Sequence, residues 1–258
     1  MLTVKQVTKV FNRNTPNQRV ALDEMNFSLA DGDFCIVIGT NGAGKSSVLN
    51  AIAGKFQVDT GAIHINDIDV AGKPVHQRAK WISRVFQDPM IGTAPTMTVA
   101  ENMLLAELRG KKHRLKLSMN QERINRYRER LAKVGLGLED RLAVKVGMLS
   151  GGQRQALSLL MAVSQKPDLL LLDEHTAALD PRTASLVMEA TVAAVEELGL
   201  TTLMVTHNMQ HAVDYGNRIA MLDAGKVHME ISGEEKQSVT VDELIKRFHI
   251  TDDALLLG

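Results

Sequence analysis

Two hydrophobic periods divide this chain. The segments from Leu2 to Val10 and from Ala21 to Leu29 read as short, alternating strands joined across the polar stretch Asn12 to Arg19. The unbroken apolar run Phe34 to Ile38 predicts a buried strand that ends at Gly39. After a glycine-rich turn, Val48, Leu49 and Ile52 share one face of a helix that Gly54 is placed to stop. Ala62 to Ile65, with the turn pair Asn66-Asp67, predicts a further strand in which His64 takes a structural, alternating position.

From Thr98 to about Val146 the period becomes helical and β-branched residues thin out until the turn Gly135-Leu136-Gly137. Ile124, Tyr127, Leu131 and Val134 mark one helix face, and Arg123, Arg126, Arg128 and Arg130 fill the others, where solvent is expected. Further on, a helix over Arg154 to Ser164 precedes the apolar strands Leu169 to Leu172, Thr202 to Val205 and Ile219 to Leu222. Helical segments lie between these strands, around Thr183 to Leu198 and Met209 to Tyr215, and Val241 to Phe248 reads as a last helix before a loose end beyond Thr251. Strands and helices in alternation favour a mostly parallel sheet covered on both faces.

Composition narrows the choice. The 258 residues suffice for one or two domains, and 30 basic against 30 acidic residues leave no global positive field of the kind that draws a protein onto nucleic acid. The basic run Lys111 to Lys116 lacks interleaved aromatics and reads as a solvated loop. Cys35 stands alone, which suits a reducing, cytosolic compartment. The start shows no basic region followed by an apolar run, and no apolar stretch approaches the 18 or so residues that cross a bilayer. Work at a membrane therefore calls for another polypeptide to hold this one there.

The chemistry is concentrated in a few short segments. Gly39-Thr40-Asn41-Gly42-Ala43-Gly44-Lys45-Ser46, with Ser47 beside it, fits the P-loop pattern between a predicted strand and helix. Its glycines let backbone N–H groups converge on a phosphate, Lys45 can reach the β- and γ-phosphates, and the Ser46 hydroxyl can serve Mg²⁺. Leu169 to Leu172 lead into Asp173-Glu174, so both carboxylates fall at a strand end, the usual ligand edge of an α/β sheet. Asp173 suits a metal-bound water, and Glu174 suits polarising the water that attacks the γ-phosphate. His207 follows another strand and could contact γ-phosphate, cap a helix or lie in the core. Gln87 could offer its amide oxygen to Mg²⁺ or be structural. Ser150-Gly151-Gly152-Gln153 stands before a helix as either a cap and turn or a second anion cradle, one that another copy's phosphate could fill in a two-fold pair.

Taken in order, the P-loop, Gln87, Leu149 to Gln153, Asp173-Glu174, Ala177 to Asp180 and His207 resemble the motif set of the ABC-type ATPases over essentially the whole chain. The resemblance implies an α/β P-loop NTPase fold: a RecA-like core with an antiparallel β-subdomain over 1–87 and 166–240, a helical insert over 88–165, and a C-terminal helix and tail over 241–258. It implies that two copies close head to tail on two Mg²⁺-ATP. By position, Lys45 and the P-loop amides bind phosphate, Ser46, Gln87 and Asp173 serve Mg²⁺, Glu174 is the general base and His207 meets the γ-phosphate. Ser150, Gly151, Gly152 and Gln153 then hold the opposite copy's ATP, and Asp180 links the two sites. Phe11 falls where the family places an aromatic on adenine, although a strand-core role is equally open.

His175 stands where the family commonly has proline, with a turn role expected, and Ala177 replaces a common serine. The segments Val85 to Pro95 and Leu169 to Pro181 resemble importer ATPases associated with tryptophan, tyrosine or related solutes. The implied partners are a separate membrane permease on the cytosolic face, whose short helix enters a cleft by the helical insert, and an extracytoplasmic solute-binding protein, with no direct nucleic acid. A soluble ABC-type ATPase in assembly or nucleic-acid metabolism, or a nucleotide-gated regulatory module, would carry similar motifs.

Overall fold

The computed structural model describes residues 1–109 and 119–247, so the basic run Lys111 to Lys116 and the end of the chain lie outside the described residues. The elements begin with β1 (Leu2–Phe11), β2 (Arg19–Leu29), β3 (Phe34–Gly39), α1 (Lys45–Ala53), β4 (Thr60–Ile65) and β5 (Ile68–Asp69). There follow α2 (Val75–Arg78), β6 (Ile82–Val85), α3 (Val99–Leu108), α4 (Gln121–Ala132), α5 (Gly151–Val163), β7 (Leu169–Asp173) and α6 (Pro181–Leu198). The last are β8 (Thr201–Val205), α7 (Met209–Asp214), β9 (Arg218–Asp223), β10 (Lys226–Ser232) and α8 (Gly233–Ser238). Residues 241 to 247 are also helical. Two compact units result: Met1–Pro74 with the chain from Thr201 onward, and Val75–Leu200.

The first unit carries two sheets. One is antiparallel in the order β2-β1-β4-β5. Its register sets Leu2 against Leu29, Val4 against Phe27 and, after a register shift, Val7 against Met25, so buried residues meet as apolar cross-strand pairs. In the other, β3 lies between β8 and β9, parallel to both, and β10 runs antiparallel beside β9. Phe34 to Ile38 are all buried, which explains an apolar run without alternation. The pattern reading missed β10, whose polar and half-buried residues alternate with little hydrophobic signal.

The second unit pairs β6 with β7 in parallel and packs α3, α4, α5 and α6 around a core that includes Met103, Tyr127, Leu131, Leu157 and Val187. The unit includes β6, β7 and α6 alongside the segment 88–165. Strand β6 was missed, being four residues long with Arg84 in it. The expectation that the α4 arginines all face solvent is corrected: Arg126 and Arg123 lie 3.2 and 3.6 Å from the Glu107 carboxylate, and the buried Tyr127 hydroxyl donates to the same group. Of the four, Arg128 is exposed and the other three are partly covered. A helix face beside a partly buried acid gains more by pairing than by hydration.

Candidate active site

In the first unit, β3 delivers the chain into the P-loop and α1 leaves it. Gly44 caps α1 with φ 104°, a left-handed conformation that strains any other residue, and a Cβ there would lie 2.8 Å from the Ala21 carbonyl oxygen. At Gly39 a Cβ would come within 2.4 Å of the Leu222 carbonyl oxygen. Two of the glycines are therefore required by close backbone approach. The Lys45 ammonium curls back and donates to the Gly39 and Thr40 carbonyls at 2.6 and 3.0 Å, although only 7% of the residue is exposed. No side chain caps α1 and no acid lies in its first turn, so its leading N–H groups and dipole favour an anion. Ser46 is exposed in that turn and Ser47 half-buried.

The end of β8 lies beside the end of β3, since Val37 pairs with Val205. Thr206 donates its N–H to the Val37 carbonyl at 3.1 Å, and the exposed His207 follows at the same sheet edge from which the P-loop springs. Asn208 caps α7. Phe11, ending β1, stands edge-on to Phe56 with ring centroids 5.2 Å apart, and the Lys9 ammonium sits 5.5 Å from both centroids. The lone Cys35 is buried, and burial pushes its thiol up to about 12, which makes it inert.

In the second unit, the parallel register of Val85 with Leu172 brings the exposed Gln87 and the Asp173-Glu174 pair to one strand-end edge. Asp173 accepts from the Arg84 guanidinium at 2.5 Å, with the side chains 17% and 11% exposed, and the same guanidinium lies 4.8 Å from the Phe86 ring. Glu174 has φ 44°, an uncommon conformation for a residue with a side chain and one concentrated at functional sites. His175 does occupy the turn, but is buried with Nε2 3.0 Å from the Thr191 hydroxyl.

The segment Ser150–Gln153 was expected to precede its helix; Gly151 and Gly152 instead form the first turn of α5. Ser150 is the N-cap, and Gln153 closes a capping box with it. The Gln153 amide also donates to the Leu136 carbonyl at 3.0 Å, so this side chain braces the turn. Asp180 caps α6, and the Thr183 hydroxyl and N–H hold its carboxyl below the usual carboxylate range. Gly152 and Thr183 approach so closely that a Cβ on the glycine would lie 2.0 Å from the Thr183 methyl. The first turns of α5 and α6 thereby pack directly against each other.

The model of the ABC transporter family matches residues 22–177. A tyrosine transport ATP-binding protein of Clostridioides difficile (strain R20291) is 42% identical over 96% of this chain and 98% of its own length. The chain belongs to the ABC transporter family. A phosphonates import ATP-binding protein of Lactococcus lactis subsp. cremoris (strain SK11) is 31% identical, covering 96% of this chain and 99% of that one. A dimeric post-hydrolysis state of an ATP-binding cassette, bound to ADP and Pi, superposes with a TM-score of 0.77 at 30% identity, over 90% of this chain and 98% of that one. A nucleotide-free cassette from an ABC transporter gives 0.74 at 26% identity, over 92% of each chain.

As a member of this family the chain is an ATP-hydrolysing cassette with the P-loop NTPase fold. Among its described residues no helix is long and apolar enough to cross a membrane. Arg84 and Thr183 are the neighbours of the site that the motifs did not reveal. Arg84 sits in a short unrecognised strand, and Thr183 looks like any helix residue until α6 meets α5.

Proposed function

We propose that this cassette hydrolyses ATP to drive import of an amino acid or similar small solute, tyrosine or a related aromatic being the first choice. The observation that carries the reading is the family's motif order laid on P-loop geometry, with Lys45 already curled over the turn. Lys45 and the P-loop amides from Gly39 to Ser47 hold the phosphates, Glu174 takes the proton of the attacking water, and His207 contacts the γ-phosphate. Phe11, at the end of a strand and beside Phe56, offers a ring face to adenine. Ser46, Gln87 and Asp173 offer hydroxyl, amide and carboxylate oxygens, a hard donor set that fits Mg²⁺. When bound, Mg²⁺ neutralises charge on the β- and γ-phosphates.

A second copy completes the site: Ser150, Gly151 and Gly152 present first-turn N–H groups to the partner's ATP, Gln153 braces them, and Asp180 links the two sites. ATP then favours the closed pair, and loss of the γ-phosphate releases it. The permease holds the pair at the cytoplasmic face. In support, a groove of about 510 Å³ by α3 and α5 exposes Ile91 and Leu105 beside Arg109, whose guanidinium donates to the Ser83 hydroxyl. An extracytoplasmic solute-binding protein would set direction.

Glu174→Gln tests the chemistry. ATP binding should persist while hydrolysis slows by at least about 10²-fold, as loss of a general base requires. Turnover at the wild-type rate would refute the assignment. Copurification of a polytopic membrane protein, followed by tyrosine uptake in vesicles rebuilt from the pair, tests the transport reading; uptake of phosphonate in place of tyrosine would replace the solute.

A further inference from the structure

The unit Val75–Leu200 contains a second cavity, lined by none of the motif residues. It measures about 430 Å³ and is walled by the C-terminal halves of α4, α5 and α6, within the range of small-molecule sites. Its floor is apolar, built from Val134, Leu160 and Val163, with Ala194 leaving room above α6. The rim is cationic. Lys133 already pairs with Glu197, the one acid of the lining, through contacts of 2.9 and 3.0 Å. Arg130 and Lys166 form no ion pair among the described residues.

Two unmatched cations over an apolar floor specify a ligand class. A neutral ligand leaves the cations unanswered. A polyanion such as a nucleotide would have to bring charged groups toward apolar walls at a high desolvation cost. We propose that this cavity binds a small amphipathic organic anion, with one or two rings or a medium-length acyl chain on the floor and a single carboxylate or sulfonate between Arg130 and Lys166. Helices α5 and α6 carry the caps Ser150 and Asp180 at their N-terminal ends, so such a ligand sits at the opposite ends of these helices, away from the caps.

The test uses the full chain and 8-anilinonaphthalene-1-sulfonate as the probe. Its fluorescence should rise to saturation at one probe per chain, with an unchanged titration when ATP is saturating. N-phenyl-1-naphthylamine, the same apolar body without the sulfonate, should bind at least about fivefold more weakly. Replacing Arg130 and Lys166 together by Gln should erase that preference. Ala194→Trp, which fills the cleft, should weaken sulfonate binding at least about tenfold. Ala193→Trp, at an exposed position of the same wall, should do so even if the first variant fails to fold. Binding that never saturates, is displaced by ATP, or survives Ala193→Trp would overturn the proposal. So would equal affinity for the two dyes, the behaviour of an uncharged docking face for a protein segment.

Discussion

Gly152→Ala tests the contact between the first turns of α5 and α6. The added Cβ would lie 2.0 Å from the Thr183 methyl and 3.3 Å from its Cβ, so only a rotation of Thr183 or a shift of one helix relieves it. Rotation carries the Thr183 hydroxyl away from Asp180, whose carboxyl it stabilises. Overpacking of this kind costs about 1–3 kcal/mol. Replacing glycine by alanine in a first helical turn returns about 0.5 kcal/mol, leaving a net loss of about 0.5–2.5 kcal/mol. That corresponds to a fall in melting temperature of about 1–10 °C for a chain of this size. The assay is thermal unfolding of a double-mutant cycle with Thr183→Ser, which deletes the clashing methyl and keeps the hydroxyl. In that background Gly152→Ala should become neutral or slightly stabilising, giving a coupling of about 1–3 kcal/mol. A coupling below about 0.5 kcal/mol would refute the reasoning, because the clash would then not be what sets the cost.

Three other outcomes follow from the geometry. Asp59 accepts from the Val10 N–H at 2.7 Å and from the Lys9 ammonium at 3.0 Å, which together hold its carboxyl below the usual range. Its stabilisation is therefore present above the ordinary carboxylate pKa and lost as pH falls through the depressed one. Asp59→Asn should melt a few degrees lower than wild type at pH 7, and the gap should close below about pH 4. Arg84→Met leaves the half-buried Asp173 without its guanidinium and should cost about 1–3 kcal/mol in denaturant unfolding. Because both partners are mostly covered, that cost should change little between low and high salt; a strong salt dependence would mark the pair as a surface one. Ser150→Arg removes an N-cap worth about 0.5–2 kcal/mol, should leave nucleotide binding by the single copy unchanged, and should depress the ATPase rate of the pair. An unaltered rate would speak against a cradle that works across two copies.

What the sequence by itself determined is what repeats locally or is spelled out by a run of neighbours. The buried strand Phe34 to Ile38, the P-loop with its lysine, and the carboxylates after Leu172 are all legible, because a central strand needs an apolar run and a phosphate turn needs glycines at fixed spacing. The motif order then carried the family and its α/β fold. The short strand Ile82–Val85 and the strand Lys226–Ser232 were not legible, since neither has enough apolar periodicity to signal itself. Only the tertiary structure decided the rest. Arg84 reaches Asp173 across 89 positions, Glu107 draws Arg123 and Arg126 off the solvent face of α4, and Gly152 must be small because Thr183 stands against it. Each of these depends on where two distant segments come to rest, and no local pattern of polar and apolar residues records the distance between them.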